Sequence, residues 1–145
     1  MEYQNHLIRG ANLTFQEIMT GVIKNECFNQ AIQLDPGFFA ARFSRGVVLL
    51  QAGKPQETVE DMKIVLANDP KDSHALDALG QALLQLNKAE EALEPLAKAV
   101  DLSRKEPRFL MQYGRALQRA GRRDEAQVIF TRFRLLEPEA SRRRA

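Results

Sequence analysis

The sequence predicts an all-α solenoid of four helix-turn-helix repeats, and three observations predict it. Gly46, Gly80 and Gly114 are evenly spaced. Their surroundings repeat with no insertion or deletion, with Leu49, Leu83 and Leu117 three places on, Thr58, Ala92 and Ala126 at twelve, and Met62, Leu96 and Phe130 at sixteen. Apolar residues recur at three- and four-residue steps, as in Leu76, Leu79, Gly80, Leu83 and Leu84, and after a break in Ala92, Leu93, Leu96, Ala99 and Val100. That period gives one apolar face to each of two helices per block.

Registered on the glycines, the blocks are 5–38, 39–72, 73–106 and 107–140, and with a short basic tail at 141–145 they make a single array spanning the 145 residues. Block one matches least. It keeps Ile8, Ala11, Phe15, Phe28, Ala31, Leu34 and Asp35-Pro36 in phase, but places Asn12 in the glycine column, Met19 at the turn and Lys24 in the small-residue column. Thr14, Gly21 and the pair Val22-Ile23 point to a turn and second helix reset by a few residues. Such degeneracy is expected of a terminal repeat, one face of which has no neighbour to pack on.

In blocks two to four the break between helices holds Gly53, Asn87 and Gly121, residue types that tolerate the left-handed conformation ending a helix. Pro55 and Pro107 fall at helix starts, where a missing N–H costs little. The three column glycines, with Ala92 and Ala126, are small where paired helices cross. Asp69-Pro70 and Glu137-Pro138 close two of the blocks. Pro95, inside the second helix of block three, removes a backbone hydrogen bond and is expected to kink the helix near Glu91. Phe133 replaces the small residue of the Ala31, Val65 and Ala99 column, so no ordinary repeat is expected to pack after block four. Glu139 to Ala145 is too short and too charged for an amphipathic capping helix, which leaves Ile129, Phe133 and Leu136 partly exposed as an association surface.

With these columns the chain resembles the tetratricopeptide repeat family, whose unit of about 34 residues reads W-x2-L-G-x2-Y, then A-x3-F, then P. The resemblance covers nearly the whole chain. It implies a right-handed superhelix walled inside by the first helix of each pair, and a non-enzymatic protein-protein interaction module, a scaffold, adaptor or chaperone-like protein, holding a peptide in its concave face. That face would contain His6, Arg9, Leu13 and Gln16, then Ala40, Phe43, Ser44, Val47 and Leu50. Block three would add His74, Asp77, Ala78, Gln81 and Leu84, and block four Arg108, Met111, Gln112, Arg115 and Arg119. Phe43, Val47, Leu50 and Leu84 suit an apolar side chain, while Arg108, Arg115 and Arg119 suit carboxylate or phosphate. Relatives that clamp the C-terminal carboxylate of heat-shock proteins use Lys and Asn on three successive first helices. The matching places here hold Arg9, Leu13, Ser44, His74 and Ala78, or Phe43, Val47, Ala78, Arg108 and Gln112, and neither set builds that clamp.

Charge is polarised. Residues 1–103 carry nine Lys/Arg against fourteen Asp/Glu, a net of −5, whereas residues 104–145 carry twelve against five, a net of +7. A basic end attracts an acidic peptide, nucleic acid or an acidic face of another copy. The alternatives to peptide binding are therefore polyanion binding at that end and a structural, self-assembling subunit. No aromatic residue is left beside the Arg stripe for base stacking, because Phe109 and Tyr113 belong to the packing pattern.

Other classes find little support. The two histidines, His6 and His74, are far apart, and neither a C-x-x-C nor an H-E-x-x-H motif is present, so no metal, cofactor or small-molecule substrate is expected. Cys27 on an apolar helix side reads as a small hydrophobe, and Glu90, Glu91 and Glu94 as helix-start acids that satisfy a dipole. No run approaches the ~18 apolar residues of a membrane span. The N-terminus lacks a secretory pattern, and a lone cysteine forms no internal disulfide, which makes the cytoplasm the expected compartment.

Overall fold

The structure is a computed structural model that describes the backbone of residues 15–144 and the side chains of residues 24–136. Among these residues the chain is all-α. Its helices are α1 (Phe15–Leu34), α2 (Phe39–Gln51), α3 (Pro55–Asn68), α4 (Ser73–Gln85), α5 (Ala89–Leu102), α6 (Pro107–Arg119) and α7 (Arg123–Arg144). The starts of α2, α4 and α6 fall at the same interval as the column glycines, as do those of α3, α5 and α7.

The turns inside the pairs are identical for a local reason. Gly53, Asn87 and Gly121 all have positive φ, at 78°, 60° and 82°. The next residue then folds back, so that the N–H groups of Lys54, Lys88 and Arg122 donate to the carbonyls of Leu49, Leu83 and Leu117 at 2.8, 2.9 and 2.8 Å. This closure satisfies the carbonyls that each first helix leaves free at its end. Between repeats, Asp35 and Asp69 each accept the N–H two residues on, from Gly37 at 3.0 Å and Lys71 at 3.1 Å, holding the Asp-Pro corners. Pro55 and Pro107 open α3 and α6 at their first positions.

The repeat columns meet one another in the core. A Cβ added at Gly46 would run into Met62, at Gly80 into Leu96, and at Gly114 into Phe130, so each glycine is the floor on which the residue sixteen places later lies. Thr58, Ala92 and Ala126 are buried beside them. The Thr58 hydroxyl, in a column that holds alanine in the next two repeats, donates to the Gly46 carbonyl at 2.8 Å and so ties α3 to α2.

Neighbouring first helices, α2 with α4 and α4 with α6, touch each other, whereas among the described residues the second helices α3, α5 and α7 do not. The first helices therefore line the inside of the curve and the second helices fan out along its outside.

Three expectations need correction. The turn expected at Met19 does not form, because α1 runs unbroken from Phe15 to Leu34. Met19 offers no relief from the left-handed strain that Gly53, Asn87 and Gly121 relieve, and Gly21 lies two residues past the place. Glu137-Pro138 does not end the last helix, which continues to Arg144 through the residues read as a tail. Glu carries one methylene more than the Asp that turns the other corners, and so is less suited to bond the backbone two residues on. Ile129, expected to stay partly exposed, is buried, while Phe133 and Leu136 are partly buried against the core. Pro95 sits inside α5, which remains one helix from Ala89 to Leu102. His6, Arg9, Leu13 and the Gln16 side chain lie outside the described residues.

Candidate peptide groove

A groove of about 260 Å³ opens on the inner face. Three successive first helices wall it: α2 with Phe43, Val47, Leu50 and Gln51, α4 with His74, Asp77, Ala78, Gln81 and Gln85, and α6 with Arg108. One wall is apolar and the floor is polar. The lining recurs by column, since Val47 and Gln81 are one repeat apart, as are Gln51 and Gln85.

Asp77 dominates the floor. The flanking repeats place Phe43 and Met111 at its position, so a carboxylate here departs from the chain's own pattern. It is 2% exposed. Gln81 Nε2 donates to Asp77 Oδ2 at 2.8 Å, Arg108 Nε stands 3.6 Å from the same oxygen, and Oδ1 has no partner. Burial pushes the Asp77 carboxyl above the usual carboxylate range, Glu106 pushes the same way, and the Gln81 hydrogen bond with the charge of Arg108 pulls back.

Arg108 bridges two repeats. Its Nη2 donates to His74 Nδ1 at 3.1 Å, and its guanidinium lies 5.5 Å from the centre of the Phe109 ring, which meets His74 edge-on at 5.6 Å. Its side chain remains half exposed at the groove mouth.

Of the residues read from the sequence, Phe43, Val47, Leu50, His74, Asp77, Gln81 and Arg108 come together around the groove. Leu84 is buried outside it, and Met111, Gln112, Arg115 and Arg119 do not line it. Arg119 points back instead, donating through Nη1 to the Leu84 carbonyl at 3.0 Å, where it caps the end of α4. Arg122 pairs with Glu90 of the previous repeat at 3.4 Å. The Arg stripe is thus partly engaged in joining repeats. Gln51 and Gln85 were missed, although they share the column of Arg119, and that shared place was the signal for them.

Among the described residues no group of three or more His, Cys, Asp or Glu is placed to hold a metal ion, and no helix is long and apolar enough to cross a membrane.

Comparison with known proteins agrees with this architecture. The family profile described as tetratricopeptide repeat matches residues 20–137. No curated protein matches the chain in sequence. Among solved structures, MamA from Desulfovibrio magneticus RS-1, residues 41 to the end, is similar with a TM-score of 0.79 and 26% identity over 84% of this chain and 69% of that one. The MamA RS-1 ArsTM double mutant gives 0.77 and 28%, over 80% of this chain and 65% of its own, so the chain spans about two thirds of the length of these neighbours. MamA MSR-1, at 21% identity and a TM-score of 0.74, shares the fold.

Proposed function

Because the chain belongs to the tetratricopeptide repeat family, whose fold is that of a protein-interaction scaffold, we propose that it is a non-enzymatic module that holds a segment of a partner protein in its inner groove. One observation carries this reading: a single groove is walled by three successive first helices, so its shape exists only in the assembled array. The apolar wall of Phe43, Val47 and Leu50 gives burial, and the amides of Gln51, Gln81 and Gln85 each offer a donor and an acceptor to a peptide backbone. Affinity capture from the source cell with the wild type and with Val47→Arg tests it. Loss of the captured partner with the variant is expected, and unchanged capture would move binding to the outer face or the ends.

Binding of a polyanion at the basic end is the weaker reading. Arg108, Arg119 and Arg122 already have partners within the fold, although Arg104, Lys105, Arg115 and Arg123 remain exposed.

A further inference from the structure

The groove carries a charge that its own surroundings leave incompletely answered. Asp77 is buried, lines the groove, and has one oxygen with no hydrogen-bond partner. A buried acceptor left unpaired costs about 1–3 kcal/mol, and more for a charged group. The neighbouring repeats avoid this cost with Phe43 and Met111 in the same column. The fold gains no bond from Oδ1 that would offset it.

The nearby cation does not satisfy that oxygen. Arg108 approaches the other oxygen only to 3.6 Å, beyond hydrogen-bond distance, and divides its guanidinium between His74 Nδ1 and the Phe109 ring. Half of its side chain faces solvent at the mouth, which leaves space outside the groove for it when another cation enters. The opposite wall is Phe43, Val47 and Leu50, which suits a long apolar stem and, at Phe43, the face of a guanidinium.

Resting on the groove reading above, we propose that the partner segment inserts one basic side chain, arginine or lysine, whose stem packs on Phe43, Val47 and Leu50 and whose charged head donates to Asp77. Charge complementarity selects this occupant. An acidic side chain reaching as deep would meet the Asp77 carboxylate across the groove and set two like charges in a place that already disfavours one. The basic end of the array, which by composition suggests an acidic partner, lies at the mouth through Arg108 alone.

A random-peptide phage library selected on the full chain tests this, followed by binding of the selected synthetic peptides. Two variants block the groove, Val47→Arg and, at an exposed position more tolerant of change, Gln51→Trp; Asp77→Asn removes the charge. The expected result is peptides that lose binding to the blocked variants and share an Arg or Lys. Replacing that residue by citrulline or norleucine, or Asp77 by Asn, then weakens binding about tenfold or more, and the two changes together weaken it little further. Blocked-groove peptides without a shared basic residue, or insensitive to Asp77→Asn, would overturn the inference and leave the groove reading standing. Peptides insensitive to both blocking variants, or a selection that yields none, would overturn both.

Discussion

Arg45 of α2 holds Asp61 of α3 with two nitrogens, Nε donating to Oδ2 at 2.9 Å and Nη2 to Oδ1, while its third nitrogen, Nη1, donates to Asn29 Oδ1 of α1 at 2.8 Å. One side chain thereby joins three helices. In the next repeat the same two places hold Leu79 and Pro95, so a polar clasp stands here where the array otherwise uses apolar contact.

Removing one partner of this clasp is costly. Asp61 is 3% exposed, and Asp61→Ala leaves Arg45 and the nearby Arg42 without an anion. We expect a loss of about 2–3 kcal/mol in chemical denaturation, below the full penalty of a buried pair because Arg45 is partly in water. The double variant Arg45→Leu with Asp61→Leu is expected to recover most of it. A double variant as unstable as Asp61→Ala would show that the pair does more than fill space.

The three column glycines differ in tolerance. At Gly46 an added Cβ meets the mobile end of Met62, at Gly80 the branch of Leu96, and at Gly114 the ring of Phe130. Gly46→Ala is expected within about 1 kcal/mol of the wild type, because relief of overlap and gain in helix propensity nearly cancel. Gly80→Ala and Gly114→Ala are expected to lose about 1–3 kcal/mol. Equal effects at all three positions in denaturant midpoints would contradict the packing described.

Asp77 predicts a pH dependence. Burial raises its folded-state pKa above the unfolded value, so its contribution to stability is fully present below the unfolded pKa and is lost as pH rises through the folded one. The groups facing it, Gln81, His74, Arg108 and Glu106, are unchanged in Asp77→Asn. Thermal melting of both proteins from acid to neutral pH should therefore show the variant gaining on the wild type as pH rises. A difference independent of pH would refute the raised pKa.

Arg119 caps α4 from the next repeat, and Arg122 pairs with Glu90, so neither is freely offered to phosphate. A fluorescent single-stranded oligonucleotide should remain unbound at physiological salt. Tight binding that falls steeply with added salt would instead establish the basic end as a nucleic-acid surface.

Much of this was legible in the sequence because it follows from local chemistry. A residue with positive φ had to occupy each turn, and a small one had to lie beneath Met62, Leu96 and Phe130; both needs leave a mark once in each of blocks two to four. What the sequence hid depends on neighbours. Arg108 and Arg119 were placed correctly on α6, yet a long side chain reaches a full turn from its Cα, and their heads turned toward α4. The burial of Asp77 is likewise set by α2 and α6 closing around it, which its own helix does not encode. At the ends the columns themselves were weaker: Met19 stands where the other repeats have Gly or Asn, Pro138 follows Glu rather than Asp, and both sit within continuous helix.

Each second helix packs on the first helix of the next repeat, α3 on α4 and α5 on α6, and the first helices also touch one another, while among the described residues the second helices stand apart from each other. A strip fastened at one margin bends about that margin. Rolling one repeat on the next breaks no contact between second helices, so the spacing of α3, α5 and α7 is the adjustable dimension of the molecule, and α2, α4 and α6 are the seam about which it turns. A single enlarged side chain at their shared seam, as at Ala78, would alter the reach of the whole arc and with it the girth of what it can embrace.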